Sequence, residues 1–105
     1  MNIDEIIELM KSRSSDLSDL NHTVLFDIDN VGKILVDATG NEVIFTRNPE
    51  DDDAETTLIL SSADMNSLIT GELSPVAAYT MGKLKVLGSM GIALKLSGIL
   101  EGQTT

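Results

Sequence analysis

A chain of 105 residues is the length of one domain, and with no cysteine it can form neither a disulfide nor a thiolate metal site. Its formal charge of −10, from 17 acidic and 7 basic residues, argues against a nucleic-acid partner, because a phosphate backbone requires Lys and Arg to displace its counterions. The start, MNIDEIIELM, is acidic where a secretory signal is basic, and the longest purely apolar run is VAAY at 76–79, too short to span a bilayer.

Taken in chain order, the first element is a helix. Asn2 and Glu5 have the spacing of a capping box, and Ile3, Ile6, Ile7 and Met10 then share one helical face. The helix is predicted to end near residues 11–15, with residues 1–20 serving as a leading helix and connection. From His22 the period changes to two. In HTVLFDID, Val24, Phe26 and Ile28 share one face. DNVG turns into KILVD, ATGN turns into EVIFTR, and TTLIL follows the acidic loop. Tight turns between the first three predict an antiparallel meander of four strands.

Helices follow. Ser61 or Ser62 caps a short one through Met65, Leu68 and Ile69, stopped at Gly71. Ser74-Pro75 opens another, filled by VAAYTM and ended by Gly82. KLKVL alternates lysine with Leu84 and Val86 as a fifth strand, and Ser89 caps a final helix. The order predicts an α+β fold, a five-stranded mostly antiparallel sheet with helices on one face. Residues 102–105 are expected to be a flexible tail.

Catalytic and metal chemistry finds little support. His22 is the single histidine and lacks metalloprotease spacing. The run EDDDAE at 50–55 offers clustered carboxylates, but counted from Asp51 the sixth residue is Thr56 and the twelfth is Ser62. The glycine and bidentate glutamate of a calcium loop are both missing, so a solvated loop is expected. The glycines at 82, 88 and 91 have no phosphate-loop spacing. Neither an enzyme nor a cofactor is expected.

The last helix carries more information. At about 100° per residue, Ile92, Ala93, Leu96, Ile99 and Leu100 form one stripe, enough to dock on a sheet. Met90 and Leu94 fall outside it and need a second apolar surface. The charge is also uneven. Residues 1–72 hold 16 acids and 4 bases, whereas residues 73–100 hold no acid and three lysines, Lys83, Lys85 and Lys95. The 73–100 region is therefore the part suited to transient contact with an anionic membrane.

Thr70-Gly71-Glu72-Leu73-Ser74-Pro75, then Ala78-Tyr79, Gly82-Lys83-Leu84-Lys85-Val86, Gly88-Ser89-Met90-Gly91 and Leu94-Lys95-Leu96 together closely resemble the sterol carrier protein 2 lipid-binding domain family. The likeness is dense over residues 56–100, is one of layout over 22–50, and over 1–20 amounts to a leading helix. The chain has Tyr79 where phenylalanine is frequent and Ser89 where Asn or Asp is frequent.

The resemblance implies an apolar tunnel between sheet and helices and non-catalytic binding and transfer of a fatty acid, acyl-CoA or similar lipid. Matched by position, Met65, Leu68, Ile69, Met81, Leu84, Val86, Met90, Ala93 and Leu94 are its expected lining, with Phe26 and Ile28 from the sheet. The chain ends GQTT where a peroxisomal member would carry SKL, which makes a bacterial, cytoplasmic carrier the expectation. The rival expectation is an interaction module: a homodimer, or an accessory factor of a lipid- or quinone-modifying enzyme complex.

Overall fold

The computed structural model describes residues 2–12, 17–50 and 53–100, apart from the side chains at 75, 97, 98 and 100. Helix α1 (Ile3–Lys11) is followed by strands β1 (Thr23–Asp29), β2 (Gly32–Asp37), β3 (Ile44–Arg47) and β4 (Thr56–Ser61). Helices α2 (Ser62–Thr70) and α3 (Pro75–Thr80), strand β5 (Leu84–Gly88) and helix α4 (Met90–Leu100) complete the chain. None of the described helices is long and apolar enough to cross a membrane.

Local signals set the helix ends. The Asn2 side chain accepts from the Glu5 amide at 2.9 Å while Glu5 accepts from the Asn2 amide at 3.2 Å, closing the capping box. Ser61 Oγ accepts from the Asp64 amide at 3.1 Å and caps α2, which ends at Gly71 in the left-handed conformation, φ +82°. Ser74 Oγ accepts from the Ala77 amide at 3.1 Å, with Pro75 opening α3. Ser89 Oγ accepts from the Ile92 amide at 3.3 Å and caps α4. The expected end of α1 near 11–15 runs into residues 13–16, which, like the tail at 102–105, lie outside the described residues; the helix itself closes at Lys11.

The sheet order is β3-β2-β1-β4-β5, and this corrects the four-strand meander. β1, β2 and β3 are antiparallel neighbours, but β4 crosses over to lie parallel to β1, with Phe26 opposite Leu58. β5 then pairs antiparallel with β4. The physical reason is burial. Following β3, the strand TTLIL would leave β1, the longest strand, as an open edge. Beside β1, Leu58 and Leu60 instead extend the inward row of Val24, Phe26 and Ile28. The sheet as a whole remains mostly antiparallel.

One face of this sheet carries the core. Val24, Phe26, Ile28, Ile34, Val36, Leu58, Leu60 and Leu84 pack against Ile6, Ile7 and Met10 of α1, Met65, Leu68 and Ile69 of α2, and Ala93 and Leu96 of α4. Leu17 and Leu20, from the α1–β1 connection, are also fully buried there. The opposite face presents Asp27, Asp29, Lys85 and Leu87 to solvent or partly so.

Candidate lipid-binding cavity

Strand β5 is the edge strand on which the site is built. Its alternation sends Leu84 and Val86 to the helix side and Lys85 and Leu87 to the other. A glycine ends it. Gly88 has φ +112°, and a Cβ there would stand 2.6 Å from the Glu55 carbonyl oxygen and 3.1 Å from Thr56 Cα. That close approach lets the chain turn at once into α4. The turn is held by Thr56, fully buried, whose hydroxyl accepts from the Ser89 amide at 3.1 Å and donates to the Ser89 carbonyl at 3.3 Å. A buried hydroxyl with both roles satisfied costs the fold little, and it fixes where α4 begins.

With its start fixed, α4 faces two surroundings. Leu96 is 1% exposed in the core, whereas Leu94 is 45% exposed on the other side. Ile92 and Ile99 pack on the core as the stripe requires; the side chain of Leu100 lies outside the described residues. Lys95 extends to the Leu20 carbonyl at 3.3 Å.

Between α3, β5 and α4 lies a half-open cavity of about 220 Å³, lined by Val76, Tyr79, Leu84, Val86, Met90, Ala93 and Leu94. Its walls are almost wholly apolar, and the Tyr79 phenol carries the one polar side-chain atom among the lining residues. Such a surface can hold a hydrocarbon group and offers only the Tyr79 hydroxyl to orient a polar one. Five residues anticipated from the sequence, Leu84, Val86, Met90, Ala93 and Leu94, meet here. Phe26, Ile28, Met65, Leu68 and Ile69 lie buried in the adjoining core and do not border the cavity. Met81 follows the last turn of α3 and is 60% exposed outside it.

Val76 and Tyr79 are not among the lining residues expected from the sequence. They stand three apart on α3, away from the fully buried Ala78.

Away from the cavity, the His22 ring Nδ1 lies 3.2 Å from both carboxylate oxygens of Glu55. Glu55 also accepts from the Thr23 amide at 2.9 Å, and its own amide donates to Thr23 Oγ1 at 3.0 Å. The Thr23 amide first, and His22 second, hold the Glu55 carboxyl below its ordinary range. This clasp ties together the starts of the parallel strands β1 and β4. Among the described residues no three acidic or histidine side chains cluster as a metal site would require. Asp51 and Asp52 of the acidic run lie outside them.

The chain matches the SCP-2 sterol transfer family over residues 3–101, and it belongs to that family. Sterol carrier protein 2 of Oryctolagus cuniculus is 39% identical over 49 residues, covering 47% of this chain and 9% of the rabbit protein. The matched segment thus spans less than a tenth of the length of that relative. The solution structure of sterol carrier protein domain 2 of Helicoverpa armigera is 26% identical, with a TM-score of 0.72, covering 93% of this chain and 84% of that one. The ubiquinone synthesis protein UbiJ-SCP2 shares the fold at 14% identity and a TM-score of 0.67, over 86% of this chain and 74% of that one.

Proposed function

We propose that the protein is a non-enzymatic cytoplasmic lipid carrier that takes the apolar chain of a fatty acid, acyl-CoA or similar lipid and leaves its head group in water. The observation that carries this reading is the apolar cavity between α3, β5 and α4, in a chain of the SCP-2 sterol transfer family. At about 220 Å³ the cavity is smaller than the roughly 300–1,000 Å³ of ordinary ligand pockets. In this reading a long chain lengthens it into a tunnel between sheet and helices, with Phe26, Ile28, Met65, Leu68, Ile69 and Met81 joining the wall. Methionine suits such repacking, since its unbranched chain adapts to different shapes.

The magnitudes agree with carriage. Burying ~10–15 methylenes contributes roughly 8–12 kcal/mol. Association and ordering cost ~4–15 kcal/mol, so reversible binding in the micromolar range is expected. Mass spectrometry of an organic extract of gently purified protein should show lipid above a blank. If it shows none, and no fluorescent fatty acid binds below about 100 μM, the carrier reading fails.

The second reading is an accessory or dimerisation module of a lipid- or quinone-modifying enzyme complex. It is favoured by the exposure of Val76, Tyr79 and Leu94, which could meet protein as well as lipid. A lipid-free extract together with a stable dimer would support it.

A further inference from the structure

Exposed large apolar side chains are unevenly spread over the described residues. Ile44 stands alone on β3, whereas Val76, Tyr79, Met81, Leu87 and Leu94 gather in the last third of the chain. Three of these border the cavity. Leu87 lies on the outer face of β5, but β5 is the outermost strand, so side chains from both its faces meet at one edge of the molecule. The chain's charge inverts along the same segment. Residues 73–100 hold three lysines and no acid, whereas residues 1–72 hold 16 acids against 4 bases. Lys83 and Lys85 are exposed, and no described carboxylate pairs with them, although Asp29 and Asp64 border the same shallow groove.

We infer that this edge docks on an anionic lipid bilayer, with the cavity mouth turned toward the acyl layer. An apolar rim containing a tyrosine suits the boundary between head groups and chains. The lysine stems can lie along that boundary while their ammonium groups reach lipid phosphates. The acidic remainder of the molecule is repelled by the same surface, so the field orients the approach and does not merely attract. A second copy fits this edge less well, because a two-fold contact would set the same lysines against each other. On the carrier reading, the arrangement spares the apolar chain a passage through water.

The test is co-sedimentation of the whole chain with phosphatidylcholine vesicles, with and without about one-third phosphatidylserine. The protein should pellet with the anionic vesicles, not with the neutral ones, and added salt should release it. Lys83→Glu/Lys85→Glu should weaken this association by about tenfold or more. Lys11→Glu/Lys33→Glu, with the same change in net charge, should retain most of it, and both variants should still bind fluorescent fatty acid in solution. Failure to pellet, equal pelleting with neutral vesicles, or equal loss in the two variants overturns the proposal. So does a native dimer that Leu87→Asp dissolves without any vesicle binding, which would assign the edge to a second copy. Vesicle binding without fatty-acid binding would remove the carrier reading and keep this one; the reverse result would remove only this one.

Discussion

Thr56 holds Ser89 by both of its backbone polar groups, accepting from the amide at 3.1 Å and donating to the carbonyl at 3.3 Å. The pair joins the first residue of β4 to the cap of α4, so the position of the cavity's α4 wall depends on a hydroxyl buried in the sheet. Thr56→Val keeps the shape and removes the hydroxyl. It should destabilise the fold by about 1–3 kcal/mol, the cost of leaving buried polar groups unpaired. Thr56→Ser should recover most of that loss. Urea denaturation of the three proteins checks both.

Gly88→Ala should cost at least as much. The new Cβ would stand 2.6 Å from a backbone oxygen that cannot swing aside, at a φ of +112° that L side chains rarely adopt. A loss of about 2 kcal/mol or more is expected in the same denaturation series. An unchanged midpoint would mean that β5 does not enter α4 through this close contact.

The two sides of α4 should respond differently to charge. Leu96→Arg would bury an unpaired cation in the core, a loss of roughly 3–5 kcal/mol out of a typical ~5–15 kcal/mol. Leu94→Arg can extend into water and should leave the fold intact. It should weaken fatty-acid binding by roughly tenfold, about 1.4 kcal/mol. Circular dichroism melts and fatty-acid displacement on both variants decide the matter. A folded Leu94→Arg protein with normal binding would remove this wall from the ligand site.

The acid side of the stability profile should report the clasp at the start of β1 and β4. The Glu55 carboxyl is held below its ordinary value of 4.5, chiefly by the Thr23 amide and then by His22. A depressed carboxyl contributes stability that is fully present above its unfolded value and is lost as the pH falls through its folded one. Native protein should therefore exceed Glu55→Gln in stability at neutral pH, with the difference closing below the ordinary value. Denaturation at a series of pH values measures it. A difference that does not change with pH would remove the charge from the explanation.

Much of the secondary structure was legible because its signals are local. Asn2 with Glu5, Ser74 with Pro75, and Gly71 each state a helix end within a few residues. The alternation of β5 likewise states which side faces inward, but Leu84, Val86, Met90, Ala93 and Leu94 are grouped as lining through the family resemblance, since the period of α4 by itself sets Ala93 apart from Met90 and Leu94. The partner of β4 could not be read. TTLIL has the same pattern whether it lies beside β3 or beside β1, and the choice depends on burial across the whole sheet. Leu17 and Leu20 sit in a connection without periodicity, so their burial was invisible. Val76 and Tyr79 lie on a six-residue helix, less than two turns, too short for a period to declare itself. Met81, grouped with the lining from the sequence, caps that helix and turns outward.

The cavity's walls all come from residues 76–94, downstream of the chain that builds α1 and the first four strands. On the proposed carrier reading, its lengthening around an acyl chain would be a partial opening of the molecule, in which β5 and the two helices flanking it loosen while β1, β2 and β4 stay paired. Amide exchange would record this as two populations. Protons of β5 and α4 would exchange at a rate set by ligand concentration, and those of β1 at a slower rate set by global unfolding. Part of a ligand's binding energy would then be spent on separating the edge of the sheet from its centre, and longer chains would have more of that energy available.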